Sequence, residues 1–169
     1  MNNKGFTVIE MLVVISVMVL LTSLLILYSR TGESQIILFR DQARLIAALN
    51  RAKFLSTQLY SAPESPCGFG VYFSQAENSF LIFRDSAANC STSDNIYSGA
   101  DELFENYQLS PQVKFGDLTL TNIIFIPPDP ETLIDNDPNK IEGIITLQNL
   151  NGSASLNVKV NNAGQITTQ

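Results

Sequence analysis

KGFTVIEML, residues 4–12, sets one carboxylate, Glu10, at the start of a long run of hydrocarbon side chains. Residues 11–29 carry no charge, and nearly all of them are Val, Leu, Ile or Met. A helix that crosses a bilayer needs ~17–25 such residues, so this run is long enough to span. Inside hydrocarbon an Asp or Glu costs a few kcal/mol even on the lenient insertion scale. The position of Glu10 therefore needs a physical reason, and finding it decides what the N-terminal helix is for.

The apolar run is longer than the ~7–15 residues of a secretory signal core, and its exit, LYSRTGES, has no small-x-small cleavage site. The segment is expected to stay in the protein as a span. After a polar patch at residues 29–35 containing Gly32, the pattern resumes as IILFRDQARLIAALNRAKFLSTQLY. Leu38, Leu45, Leu49, Ala52, Leu55 or Ser56, and Leu59 recur at three- and four-residue steps, with Arg40, Asp41, Arg44, Arg51 and Lys53 between them. This is an amphipathic helix with one apolar stripe. The reading is one nearly continuous helix over residues 6–60, weakened at Gly32, because glycine costs about 1 kcal/mol in a helix interior.

Residues 61–66 (SAPESP) break the helix, and the periodicity then changes to that of strands. CGFGVYF and SFLIFRD flank the turn residues SQAEN and read as a hairpin, with Cys67 and Cys90 near its open end. SGADELFENY, residues 98–107, has an N-cap serine followed by acids and is expected to form a short helix. VKFGDLTLTNIIFIP supplies one or two strands. DPETLIDNDPNK, residues 129–140, reads as a loop. GIITLQN, ASLNVKV and QITT supply three more strands, with turns at Asn151-Gly152 and Asn162-Ala163-Gly164. The expected fold is α+β: a long N-terminal helix, transmembrane in its first half and amphipathic in its second, packed on an antiparallel β-sheet head.

Charge is divided along the chain. Residues 30–60 hold five basic and two acidic residues, whereas residues 61–169 hold four basic and thirteen acidic. An acidic head repels phosphate backbones, so nucleic acid is an unlikely partner. The chain has no histidine and no recognisable nucleophile–base motif or Gly-rich phosphate loop, so no catalytic residues are assigned and no enzyme or cofactor is expected. Cys67 and Cys90 are either a disulfide or a pair of buried thiols; their placement around a hairpin favours the bridge. A bridge requires an oxidising compartment and sets the head outside the cytoplasm.

Gly5-Phe6-Thr7-Val8-Ile9-Glu10, behind Lys4 and ahead of the apolar run, resembles the class III signal of type IV pilin-like proteins. The resemblance implies that a prepilin peptidase cuts between Gly5 and Phe6 and methylates the new amine of Phe6. It makes residues 1–5 a leader, 6–29 a transmembrane and assembly helix, 30–60 its amphipathic continuation, and 61–169 an extracytoplasmic β-rich head. Glu10 becomes the fifth mature residue and acts in assembly. Physically, cleavage creates a positive charge one helical turn from Glu10, either its own amine or that of a neighbour in a packed filament, and a paired charge is tolerated where a lone one is not. ARLIAALNRAKFLSTQ, CGFGVYF, FLIFRD and the closing NAGQI resemble the minor pseudopilins of type II secretion, H subtype, and related minor pilins. That likeness implies other pilin or pseudopilin subunits and an inner-membrane assembly platform as partners, in a single-pass inner-membrane protein with its N-terminus cytoplasmic. It also leaves a second reading, a minor pilin for adhesion or DNA uptake. The chain departs from many pilins in having no proline before Pro63.

One further stretch carries the donors of a cation site. Asp129, Glu131, Asp135, Asp137 and Asn139 put oxygen ligands at partly alternate positions, which suits calcium. The EF-hand glycine and terminal glutamate are missing, so a solvated Asp/Asn/Pro turn with no metal is the preferred reading.

Overall fold

The computed structural model describes residue 5 and residues 7–59, 66–87, 89–128 and 131–168, the side chains of 27–31 excepted. Two compact units divide it, Met1–Ile36 and Ile37–Gln169. Helix α1, Val8–Gln58, contributes to both, and Gly32 falls within its range.

In the first unit every described side chain of Val8–Ile26 is exposed, and the segment is long and apolar enough to cross a membrane. Its few polar groups are closed on the helix itself. Ser16 donates to the Val13 carbonyl at 2.8 Å, Thr22 to Met18 at 2.7 Å, and Ser23 to Leu20 at 2.8 Å. No water in a bilayer core could satisfy those hydroxyls, so back-bonding to the preceding turn keeps the surface compatible with hydrocarbon.

The second unit contains the core. On α1, Leu38, Leu45, Ala48, Leu49 and Ala52 are at most 2% exposed. Ser56 is buried and Leu59 exposed, so the stripe ends one turn earlier than the periodicity suggests. Nine strands follow: β1 (Gly68–Ser74), β2 (Ser79–Asp85), β3 (Leu103–Gln108), β4 (Val113–Leu118), β5 (Asn122–Ile126), β6 (Glu131–Ile134), β7 (Glu142–Asn149), β8 (Ser155–Asn161) and β9 (Ile166–Thr168). They form two antiparallel sheets, of order β3-β2-β1-β5-β6 and β4-β7-β8-β9. Alternate residues of both sheets, among them Phe69, Val71, Phe73, Ile123 and Phe125 from the first and Val113, Ile145, Leu147 and Val158 from the second, join the α1 stripe in one hydrophobic cluster. The fold is α+β.

Three sequence expectations are corrected. Residues 98–107 form no α-helix: a single 3-10 turn at Ala100–Glu102 leads straight into β3. Leu103–Gln108 has good strand formers, and pairing with β2 overrides the cap signal, because tertiary pairing outweighs weak local propensity. The acidic loop is also shorter than expected, since Glu131–Ile134 pairs with β5 as β6 and buries Thr132 and Ile134. Asp41, which the pattern places on the polar face of α1, is completely buried. Its carboxylate accepts the Ser110 N–H at 2.7 Å and the Ser110 hydroxyl at 3.0 Å, with Arg44 Nη1 3.7 Å and Arg40 Nε 3.8 Å away. A buried carboxylate is stable only with such partners. The helix termini expected at residues 6 and 60, and the breaker at 61–65, lie outside the described residues.

Asn78 joins the two sheets. It sits at the β1–β2 turn with φ 52°, a left-handed conformation that asparagine tolerates better than most residues. Its amide donates to the Val113 carbonyl at 2.7 Å and its side-chain oxygen accepts the Phe115 N–H at 3.1 Å. One side chain thereby does the work of a neighbouring strand along the open edge of β4. Gly70 serves the other face of the first sheet: a Cβ there would stand 2.4 Å from the Phe83 ring and 2.5 Å from the Ile123 carbonyl. Tyr97 packs beyond it, 5.1 Å from Tyr72 and 5.9 Å from Phe83 between ring centroids, so the segment between β2 and β3 roofs that face. A disulfide between Cys67 and Cys90 anchors the roof. For a loop of this length the chain-entropy model gives about 3 kcal/mol of stabilisation.

Replacing Asn78 with alanine leaves a buried strand edge unpaired and is expected to destabilise the head by about 1–3 kcal/mol. Urea unfolding of the two proteins checks this; an unchanged midpoint would mean that the sheets need no such link.

Candidate functional site

The N-terminal constellation is built around the first turn of α1. Thr7 is the residue before the helix, and Glu10 is the third within it. The Thr7 N–H and Thr7 hydroxyl both donate to the same Glu10 carboxylate oxygen at 2.9 Å, and the Glu10 N–H donates back to the Thr7 hydroxyl at 3.3 Å. This is a capping box: it satisfies donors that a helix start otherwise leaves open. The negative charge also lies at the positive end of the helix dipole. T-x-x-E ahead of an apolar run is a sequence-level signature of this arrangement, so the role of Thr7 was legible although the reading above did not use it.

Glu10 thus has local hydrogen-bond donors in Thr7. Among the described residues neither of these donors is a formal cation. Gly5 is exposed, with nothing within 4 Å of the place a Cβ would take, which leaves its backbone open to approach. Phe6, expected to carry the methylated amine, lies outside the described residues.

Among the described residues of 129–140, Asp135 and Asp137 are taken up by partners of the protein itself. One Asp135 oxygen accepts the Thr121 N–H at 2.7 Å, the Thr121 hydroxyl at 2.9 Å and the Asn122 N–H at 2.9 Å, while the other accepts Lys140 Nζ at 2.6 Å. Lys140 also donates to the Thr119 carbonyl, so an ammonium fills the position a cation would take. Asp137 accepts the N–H of its own turn residue Asn139. Burial pushes the Asp135 carboxyl up, but the Lys140 ammonium and the backbone amides outweigh it and hold the group below its usual range. Glu131 is exposed on β6, and Asp129 lies outside the described residues.

The acidic group that the fold does assemble came from elsewhere. Oxygens of Asp85, Asp94 and Glu102 lie within 4.8 Å of one another under the roof segment. They come from the end of β2, the roof and the 3-10 turn, so no spacing in the sequence announces them. Asp85 is buried and bonds the Ser93 hydroxyl; Glu102 accepts the Ser98 N–H at 2.7 Å, and Ser98 donates its hydroxyl to Asp94. Burial, with the neighbouring carboxylates, pushes both Asp85 and Glu102 above their usual range. The serines order this cluster, but like charges this close cost stability whenever all three ionise. An open cleft of about 730 Å³ beside Asn78, lined by Gln75, Lys114, Gly116, Asp117, Thr146 and Gln148 among others, is a second feature absent from the sequence reading.

Residues 1–26 match a family described as the prokaryotic N-terminal methylation motif. A search of curated proteins returned no match. Among solved structures the chain is similar to the minor pseudopilin EpsH from the type 2 secretion system of Vibrio cholerae, with a TM-score of 0.42 and 11% identity over 80% of this chain and 95% of that one.

The carboxylate cluster fixes the sign of a pH effect. Asp85 and Glu102 are raised in the folded state, so on raising the pH they hold protons after the unfolded chain has released its own. Their contribution to stability therefore falls as the pH climbs through the ordinary carboxylate range and stays reduced above the folded values. Glu102→Gln keeps the acceptor for Ser98 while removing one charge. It is expected to raise the thermal midpoint at about pH 7 and to leave it unchanged below about pH 3, where Glu102 is protonated in both the folded and the unfolded state. Equal midpoints at neutral pH would contradict this account.

Proposed function

We propose that this chain is a pilin-like structural subunit: anchored in the membrane by the first half of α1, cut by a prepilin peptidase between Gly5 and Phe6, methylated on Phe6, and built into a filament through α1. The observation that carries the reading is the match of residues 1–26 to the N-terminal methylation motif. The exposed apolar surface of Val8–Ile26 supports it, because such a surface must be covered by lipid or by other helices.

Within that reading the chain divides as leader 1–5, membrane and assembly helix 6–29, amphipathic continuation 30–60 and β-rich head 61–169. The head lies in the periplasm or outside the cell and the N-terminus in the cytoplasm, in keeping with the Cys67–Cys90 bridge. The role is structural, and the partners are the peptidase, other pilin or pseudopilin subunits and an inner-membrane assembly platform. A place among the minor pseudopilins of a type II secretion pseudopilus, H subtype, is the finer form of the proposal. A role in DNA uptake is disfavoured by thirteen acidic against four basic residues in 61–169.

The mechanism follows from the Glu10 charge. Among the described residues the carboxylate is held by Thr7. Cleavage at Gly5 adds an ammonium at Phe6, and a filament in which that ammonium meets a Glu10 carboxylate neutralises both in a lipid-like interior. Axial register between subunits is then selected by electrostatics, since a slipped register leaves a charge unpaired.

Co-expression with a prepilin peptidase is expected to reduce the intact mass by residues 1–5 and add one methyl group; an unchanged mass overturns the reading. Breaking one side of a buried ion pair costs about 3–5 kcal/mol, so Glu10→Val should still be cleaved while its incorporation into filaments falls by orders of magnitude. Incorporation at the parental level, measured by shearing and immunoblotting, would remove Glu10 from the assembly mechanism.

A further inference from the structure

The open cleft of about 730 Å³ beside Asn78 lies on the outer face of the second sheet. Lys114 on β4 stands opposite Gln148 on β7, and Gln148 opposite Ser155 on β8, so these three side chains form one row across adjacent strands. Their neighbours along the strands, Phe115 and Leu147, belong to the hydrophobic cluster, and the row therefore faces away from it. In the next row Thr146 donates to Asn157 Oδ1 at 3.0 Å. The β4 residue beside Thr146 is Gly116, where a Cβ would stand 3.0 Å from Thr146 Cγ2 and 3.3 Å from the Gln148 side chain. The β4–β7 register breaks between Phe115 and Leu118, and this bulge brings Asp117 to the cleft as well. Among the described residues no hydrogen bond or ion pair engages the side chains of Lys114, Asp117, Gln148 or Ser155. Lys114 and Asp117 thus line one cleft without closing on each other.

We propose that this cleft binds a neutral, hydroxyl-rich ligand, a short stretch of oligosaccharide. Lys114 can only donate and Asp117 only accept, whereas the Gln148 amide and the Ser155 hydroxyl do both. Sugar hydroxyls likewise donate and accept, so a run of them satisfies all four groups at once. An anion would meet the Asp117 charge and a cation the Lys114 charge, and the two cancel, which disfavours either ion. An extended peptide would need an open strand edge to pair with. On β4 that edge is closed: Asn78 takes the Val113 carbonyl and the Phe115 N–H, and Gln75 Nε2 donates to the Gly116 carbonyl at 3.1 Å. The strands bearing the row are ~4.8 Å apart, close to the repeat of linked sugar rings. A smaller recess of about 390 Å³, lined by Tyr72, Thr119 and Thr121 among others, adjoins the cleft at Gln75 and leaves room for further rings. Every residue named belongs to Ile37–Gln169, so the site is complete within that unit and independent of processing and assembly.

The full chain, labelled with 15N, is held in phosphocholine micelles, which carry no sugar, and titrated with maltotetraose, cellotetraose, mannotetraose and chitotetraose as probes. Trigalacturonate and an uncharged Ser/Thr/Gln peptide are titrated alongside. The expected result is that one or more of the four neutral sugars moves the Gly116 and Thr146 amide signals and the Gln148 side-chain amide signals saturably, with half-saturation below about 10 mM. Gln148→Ala and Asp117→Ala should each weaken that binding about tenfold or more, since each removes a hydrogen-bonding group from the ligand. Neither side chain bonds the rest of the head, so the urea midpoint should be that of the parent in both variants. Signals that stay still with all four sugars at about 10 mM overturn the proposal. So does binding that Gln148→Ala and Asp117→Ala leave at the parental strength. Movement of these signals by trigalacturonate alone, or by the peptide alone, assigns the cleft to an anion or to a polypeptide and overturns it equally.

Discussion

One helix backbone here has to suit two solvents. Over Val8–Ile26 its surface is hydrocarbon on every side, and the described hydroxyls within it bond their own preceding turns. From Leu38 onward the same helix offers a single stripe, and two sheets close on that stripe. Neither part could replace the other: an all-apolar helix has no face to leave in water, and an amphipathic one has no place in lipid. Every other feature of the fold serves one side of this division.

In the head, polar groups rather than apolar area decide where elements meet. Burial of Leu, Ile, Phe and Val supplies most of the driving force, but it is non-directional. Asp41 locates α1 on the turn at Ser110, Gln42 donates to the Asn157 carbonyl at 3.2 Å, and Lys53 to Gly164. These three contacts, spaced along one helix, tie it to the second sheet and to the turn that precedes β4. Asn78 then ties the first sheet to the second. Asn149, whose buried side-chain oxygen has no partner, shows that this accounting is not closed everywhere.

The sequence was most legible where periodicity is local. The apolar first half of α1, the α1 stripe, the β1–β2 hairpin and the two tail turns were all readable, because each depends on residues a few positions apart. Leu103–Gln108 was misread as helix because its strand character depends on β2, about twenty residues earlier. Asp41 looked like a surface charge because its partner, Ser110, is 69 positions away. The division of the strands into two sheets, and the meeting of Asp85, Asp94 and Glu102, come from the same kind of long-range pairing. At the N-terminus the reading of Glu10 as a charge awaiting an amine was incomplete. The carboxylate already caps α1 through Thr7, so in the proposed mechanism cleavage adds a cation to a group that is already positioned.

That sharpened view can be tested at the atoms concerned. Processed subunits are prepared in three batches, one labelled with 13C at the glutamate carboxylate, one with 15N at phenylalanine and one with both; the doubly labelled batch is assembled by itself and the two singly labelled batches are assembled as a mixture. Solid-state NMR recoupling then reads the distance from Glu10 to the Phe6 ammonium. The account predicts a contact within about 4 Å, the range of an ion pair, with the mixed sample telling an intermolecular partner from an intramolecular one. A Glu10 carboxylate coupled only to Thr7 in the assembled filament would contradict it.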